Sequence, residues 1–389
     1  MVDMVALDAT DRIQDDLHLR SCIQCGDCSG VCPLGYLMDF PPSKIIAEIR
    51  SETYARVIRT DSAWMCIACS ACTTVCPMQI PVTINVMSRT KEELVLAGNV
   101  PPELQAALEN SQRYGNPEGE SPRKRADWIK GIEPAIPVFG REKRTADVLW
   151  FVGDYASFHP RVQQVTRGFA RLLHLLKVDF AILGLDEVSD GDSQRLAGER
   201  GLFEYLAEKN GRAFGKYSFN RIVTTDPHAF NGMKTEYPKL GYSYPVQHYT
   251  EFLVEHLEQL KPMLCKEVKT RVTYHDPCYL GRVNKIYDAP RTLLAAIPGL
   301  TLVEMPHTRQ NSLCCGGGGG GMWLDGFMWN KGHARVSEWR VGEAARTGAS
   351  VLVVACPYET PRFEDAVKTT GRVEQLVVKD IIELLVEAI

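Results

Sequence analysis

No stretch of this 389-residue chain stays apolar for the roughly 18 residues that a bilayer span requires, and its opening MVDMVALDATDRIQDD has neither the basic start nor the apolar core of a secretory signal. The expectation is a cytoplasmic protein with no direct membrane insertion, held at a membrane only through a partner subunit. Positive charge is not in excess either. With 44 Lys and Arg against 48 Asp and Glu the net charge is −4, so nucleic acid meets no basic surface. Ser-His-Asp nucleophile sets and H-E-x-x-H are missing, and the one glycine run is too uniform for a dinucleotide fingerprint, so no flavin or nicotinamide site of the chain's own is expected. The glycines Gly316–Gly321 have no Lys-Ser/Thr after them and no strand running directly into them, so they are not a phosphate loop. Cysteine, finally, is absent from residues 77–264.

That gap matters because the chain holds 13 cysteines, eight of them between residues 22 and 76 and five between 265 and 356. In a reducing compartment such thiols serve metals or redox chemistry rather than structural disulfides. The stretch CIQCGDCSGVCP carries Cys22, Cys25, Cys28 and Cys32 ahead of Pro33, and CIACSACTTVCP repeats it with Cys66, Cys69, Cys72 and Cys76 ahead of Pro77. Thiolates at this spacing can wrap one face of a cubane while backbone N–H groups point at its sulfurs, and the proline turns the chain away. Zinc also favours C-x2-C, but zinc motifs do not usually place four cysteines in one run and then repeat it. The doubled run resembles the bacterial-type two-cluster ferredoxin, in which the fourth cysteine of each run binds the other cluster. The resemblance implies two 4Fe-4S clusters, one on Cys22, Cys25, Cys28 and Cys76, the other on Cys66, Cys69, Cys72 and Cys32.

Between the runs, PPSKIIAEIRSETYARVIR spaces Ile45, Ile46, Ile49, Val57 and Ile58 as helical turns rather than as an alternating strand. The module therefore resembles the α-helical ferredoxin of succinate dehydrogenase and heterodisulfide reductase subunits. A further helix over about 82–97 ends at GNVPP, a Gly-then-Pro stop. Residues 1–99 are thus expected as a ferredoxin domain. Residues 100–145, rich in Pro, Gly and charge, are expected as a linker packed through Tyr114 and Trp128.

From residue 146 short β-branched runs alternate with helical ones, which predicts parallel sheets with helix crossovers in two similar halves, 146–262 and 263–389. In the second half Cys278 follows VTYHDP, Cys314 and Cys315 follow LVEMPHTRQNSL, and Cys356 ends VLVVAC. The order Cys, Cys-Cys-Gly, Cys-x-x resembles the CCG domain of heterodisulfide reductase catalytic subunits. It implies a third iron–sulfur cluster, 4Fe-4S or a non-cubane variant, on Cys278, Cys314, Cys315 and Cys356. The departure is Glu359, which stands where the last C-x-x-C should close. This acid is a harder iron ligand, or leaves one iron open to a substrate or partner, or points at solvent beside an ordinary cluster. The glycine run is expected to approach the cluster next to Cys314 and Cys315, where only Gly avoids a clash. Cys265 fits no frame.

Laid on the second half, the first puts Asp154 at the first cysteine, Ser189 and Asp190 at the Cys-Cys pair, and Asp226 and Ala229 at the closing C-x-x-C. Every thiol is replaced while the frame survives. Two readings stay open: a vacated pocket whose polar groups pair with waters or with cations such as Arg195, and a hard-cation site, since converging carboxylates need something positive among them. The expected fold class is α+β multidomain, a helical ferredoxin domain followed by two α/β CCG-type halves with parallel sheets, the first lacking cysteines. The resemblance implies an iron–sulfur oxidoreductase component of a redox complex, relaying electrons between a flavoprotein partner and another acceptor subunit. The alternative is a catalytic subunit that reduces a disulfide at the CCG cluster.

Overall fold

Pro42 pre-sets φ for a first helical turn, and behind it Ile45, Ile46 and Ile49 fall on the buried side of helix Pro42–Arg50. Val57 and Ile58 complete the same core from the short helix Ala55–Ile58. The computed structural model describes residues 19–332 and 335–389. Within the described residues up to Tyr114 every regular element is helical. The helix expected over 82–97 runs as Val82–Ser88, with a widened turn, then Arg89–Leu96, and Gly98 at φ 72 follows it. In the stretch expected as a linker, Pro102–Tyr114 is a helix of 13 residues.

The chain divides into two compact units that are not contiguous in sequence. Among the described residues, one comprises those up to Leu108 together with those of Ser193–Phe203 and Gly316–Val336; the other comprises Glu109–Asp192, Glu204–Cys315 and Ser337–Ile389. Two pieces of the α/β region, one of them opening with the glycine run, therefore fold with the cysteine-run unit. No helix among the described residues is long and apolar enough to cross a membrane.

The second unit holds two four-stranded sheets. Strands β1 (Val148–Phe151), β2 (Phe180–Ile182), β3 (Arg221–Thr224) and β4 (Val246–His248) are ordered β2-β1-β3-β4. Strands β5 (Arg271–Tyr274), β6 (Thr301–Leu302), β7 (Val351–Val354) and β8 (Val377–Asp380) are ordered β6-β5-β7-β8. All pairings are parallel. The central strands VLWF and VLVV are buried throughout, as a sheet covered by helices on both faces demands. Equal strand order in the two sheets is the duplicated frame at the level of topology. In each, chain order reverses between the two central strands, so the crevice at their carboxyl ends is the place for a ligand.

The halves are joined reciprocally. Helix Pro160–Leu175, which follows β1, packs on Ile381–Ala388, which follows β8; helix Asp288–Ala296, which follows β5 across the turn at 279–283, packs on Tyr249–Glu255, which follows β4. Trp150, Phe169, Tyr249, Leu293 and Leu385 belong to this one shared core. Gly168 lets the first pair close, since a Cβ there would lie 2.9 Å from Cγ2 of Ile382.

Asp380 caps the last helix, its Oδ1 accepting from Ile382 N–H at 2.9 Å and from the Tyr249 hydroxyl at 2.9 Å. Burial pushes its carboxyl up to about 7, with the Ile382 N–H and the Tyr249 hydroxyl acting the other way. A folded-state pKa above the unfolded value of about 4 means that the native state holds the proton more tightly, so this contribution is fullest at low pH and is lost as pH rises through about 4 to 7. The variant D380N keeps a cap acceptor without the titration. Denaturant midpoints should therefore fall more steeply from pH 5 to 7.5 in the wild type than in D380N.

Candidate metal centres

In the first unit Cys22, Cys25, Cys28 and Cys76 line one cavity, and Cys32, Cys66, Cys69 and Cys72 line another. Each group takes three thiols from one run and the fourth from the other. The backbone of both runs is twisted alike: Gln24 (φ 56) and Gly26 (φ 88) in the first, Ala68 (φ 48) and Ser70 (φ 59) in the second, are left-handed. For a residue with a Cβ that conformation costs about 1–2 kcal/mol, and it recurs where a site requires it. Polar hydrogens reach sulfur around both runs. Ala68 N–H lies 3.4 Å from Cys66 Sγ, Gln24 Nε2 3.3 Å from Cys22 Sγ, and the Thr83 hydroxyl 3.3 Å from Cys72 Sγ.

All eight stand as thiols outside any disulfide. Burial, then the charge of Cys22, pushes the Cys28 thiol up to about 11; burial, then Cys69 and Cys66, pushes Cys32 up to about 12. Thiols gathered in this way resist ionising unless something positive stands among them, which is what a ferric–ferrous cluster provides. Among the described residues no three His, Cys, Asp or Glu side chains are spaced for a single metal ion. A four-iron cluster spreads its thiolates farther apart than one ion does.

A cation caps the first cysteine of each run. Arg50 Nη1 donates to Cys22 O at 2.6 Å from an exposed position. Lys91, fully buried, donates through Nζ to Cys66 O at 2.7 Å and to Gly319 O at 2.6 Å, with the Trp64 ring 5.9 Å away. Burial lowers its ammonium to about 8 against the pull of the Cys66 thiolate, which leaves it cationic at neutral pH. Gly319 has φ +60, and a Cβ there would stand 2.9 Å from both Cys66 O and Lys91 Nζ. The close approach of the glycine run, expected at Cys314 and Cys315, is thus made to the Cys66–Ala68 backbone, because Gly316–Val336 folds with the first unit.

In the second unit Cys278 lies four residues past β5 and Cys356 two past β7, one on each side of the point where strand order reverses. Cys314 and Cys315 arrive on the segment after β6, and all four thiols are buried. Cys265 is exposed. Glu359 opens helix Glu359–Thr369 and is 2% exposed, so the solvent-facing alternative fails. Burial, then Cys315 and Cys278, raises its carboxyl well above the ordinary range, and burial, then Glu359, raises the Cys356 thiol. The acid therefore looks into the thiol group.

His275 joins it. Arg340 Nε donates to His275 Nδ1 at 3.0 Å, which leaves the proton on Nε2, 3.1 Å from Glu359 Oε1. Burial, then Arg340 and Arg282, keeps this imidazole neutral. The approach is close without hydrogen-bond alignment, and Glu359 Oε2, also buried, has no partner. A buried carboxylate oxygen left over near the Cys278, Cys315 and Cys356 thiols fits a group bound among them.

The cysteine-free half repeats these positions without thiols. Asp154 begins a helix after β1, and Asp226, two residues past β3, caps helix Pro227–Asn231 by accepting from His228 N–H at 2.7 Å. Tyr155, next after Asp154, packs on Tyr358, two after Cys356, with ring centres 4.4 Å apart. Tyr279, next after Cys278, stacks at 4.0 Å on His228, two after Asp226. Asp154 thus corresponds to Cys278 and Asp226 to Cys356 in space as in register.

Part of the charge among these acids is neutralised internally. Arg125 donates to Asp154 Oδ1 at 2.6 Å and to Glu187 Oε1 at 3.0 Å, all three buried. Its source is the expected linker; Arg195, the cation anticipated from sequence, lies over the Phe203 ring at 5.9 Å. Burial, then Asp226, raises the Asp190 carboxyl well above its usual range, and burial raises Asp226 to about 6. His228 pairs with Asp192 at 2.9 Å, which outweighs burial and holds the imidazolium up at about 9. The positive charge beside Asp154 and Glu187 thus comes from Arg125, and no group of three potential donors among the described residues is spaced for a single metal ion.

Comparison with protein families matches residues 18–80 to the 4Fe-4S dicluster domain and residues 272–358 to the cysteine-rich CCG domain. The chain joins a 4Fe-4S dicluster domain to a CCG domain. It is 35% identical over 337 residues to the probable iron-sulfur-binding oxidoreductase FadF of Bacillus subtilis, covering 86% of this chain and 47% of that protein. The EtfAB:quinone oxidoreductase of Syntrophomonas wolfei is 29% identical over 425 residues, covering 96% and 59% respectively. A dihydromethanophenazine:CoB–CoM heterodisulfide reductase subunit of Methanosarcina barkeri is 29% identical over 404 residues, covering 96% and 94%. Against the first relatives the chain spans about half to three-fifths of their length.

Three residues, one at the dicluster site, one at the CCG site and one in the cysteine-free half, are not singled out by the sequence. His275 was in plain view in HDPC, a polar pair between a strand end and a candidate ligand. Arg125 in SPRKRADW and Lys91 in SRTKEE sit among other basic or charged residues with nothing to set them apart. Replacing Arg125 by Met would leave the buried Asp154 and Glu187 carboxylates without their cation, and a broken buried pair costs about 3–5 kcal/mol. Chemical denaturation of R125M should show a loss of that size, with no loss of iron from the dicluster domain.

Proposed function

We propose that this chain is the iron–sulfur electron-transfer subunit of a redox complex, passing electrons between a flavoprotein partner and a second acceptor. The reading is carried by the thiols: two groups of four crossing between the runs of the dicluster domain, and four more buried at the reversal point of the CCG sheet. In this reading Cys22, Cys25, Cys28 and Cys76 hold one 4Fe-4S cluster and Cys32, Cys66, Cys69 and Cys72 a second. Cys278, Cys314, Cys315 and Cys356 hold a third centre, with Glu359 its oxygen neighbour and His275 Nε2 lying 3.1 Å from Glu359 Oε1. Bound clusters supply one-electron uptake and release. What this chain's residues do is cover these thiols at least in part, Cys25 excepted, direct N–H and O–H groups at sulfur, and set the local charge. Redox partners are supported by relatives whose names describe a quinone oxidoreductase and a heterodisulfide reductase component. The flavoprotein donor is our assignment.

Protein purified without oxygen should carry about 12 iron atoms per chain, whereas about 8 with one zinc would sink the third centre. The variant C356A should lose about 4 iron atoms and leave both dicluster signals in place. Low-temperature EPR with and without a disulfide substrate separates relay from catalysis: a third-centre signal that answers to the disulfide would move the assignment to a disulfide reductase.

A further inference from the structure

Lys91 is gripped by three stretches of chain that are remote in sequence. Its ammonium is held by the carbonyls of Cys66 and Gly319, while Gly198 at φ +95 lies so close to its backbone that a Cβ there would stand 2.6 Å from the Lys91 carbonyl carbon. Among the described residues no carboxylate pairs with it. The charged group acting on it is the Cys66 thiol, one of four lining the second cavity. The first run has the same arrangement in a different medium: the guanidinium of Arg50 caps Cys22 O, but in water. A charge in water is screened, and the same charge in the interior is not.

We infer that Lys91 is a positioning residue that raises the reduction potential of the cluster on Cys32, Cys66, Cys69 and Cys72 above that of its twin, and that Gly198 and Gly319 are glycines because any side chain would dislodge it. This inference rests on the dicluster reading above. Reduction adds one negative charge to a cluster. A fixed, unpaired, buried cation beside one ligand stabilises that charge, whereas the solvated Arg50 does so weakly for the other. The electron therefore favours the Cys66 side, which gives the pair a direction. The two pieces of the α/β region that fold with the first unit place Gly198 and Gly319 against the lysine, so these segments contribute to the electrostatics of the cluster.

EPR-monitored redox titration of the holoprotein tests this in wild type, K91Q, K91R and R50Q, with the two signals assigned by serine replacement of Cys25 and of Cys69. In K91Q the reduced-to-oxidised ratio of the Cys69 cluster at fixed potential should fall about tenfold or more, equivalent to about 59 mV for a one-electron couple. The Cys25 cluster should move much less in K91Q, K91R should restore most of the shift, and R50Q should barely move its own cluster. Equal potentials for wild type and K91Q, or an equal shift in R50Q, would overturn the inference. Should K91Q fail to hold iron, G319A keeps the charge while displacing the ammonium, and an unchanged Cys69-cluster potential there would overturn it as well. Wild-type protein lacking both 4Fe-4S signals would instead overturn the dicluster reading itself.

Discussion

Four thiols brought together and partly withdrawn from water are unfavourable as thiolates and have little reason to pack as thiols, and much of this molecule is arranged around that constraint. The same left-handed twists recur in the two cysteine runs, at Gln24 and Gly26 and again at Ala68 and Ser70, and they cost conformational energy in three of those residues. The return is a set of N–H and O–H groups directed at sulfur and a crossing in which Cys32 and Cys76 each leave their own run. A crossed pair cannot form one site without nearly forming the other. Folding of the dicluster domain and loading of its clusters are in this reading a single cooperative event.

The α/β unit shows the opposite solution to the same problem. Its two sheets share strand order, and their helices pack reciprocally, yet only one sheet ends in thiols. Where the thiols were replaced, carboxylates stand at the same strand ends, and buried acids in one place are as unfavourable as buried thiolates. Arg125 resolves this for Asp154 and Glu187, and the Asp192–His228 pair resolves it nearby. The vacated half is therefore more than a relic: Tyr155 and His228 supply the packing surface for Tyr358 and Tyr279, the residues beside the CCG cysteines.

Much of this is legible in the sequence because the signals are local. Cysteine spacing, the helical rhythm of Ile45, Ile46 and Ile49, and β-branched runs such as VLVV are read over a few residues, and the structure has the corresponding elements. The edge strands β4 (VQH) and β8 (VVKD) escape such a reading, since a short strand with polar members on a sheet edge carries no clear period. Helix Pro102–Tyr114 is hidden by the Pro- and charge-rich stretch that follows it. Glu359 stands out for its misfit, but its burial against His275 cannot be read from the residues around it.

By itself the sequence determined where the thiols are grouped and which frame is duplicated, because thiol spacing and strand–helix alternation are properties of neighbours along the chain. Only the tertiary structure decided where the charges sit. That Arg125 rather than Arg195 neutralises Asp154, and that a glycine 228 positions beyond Lys91 receives its ammonium, are matters of long-range packing. A charge finds its partner wherever burial makes leaving it unpaired most costly, and no local pattern encodes that place.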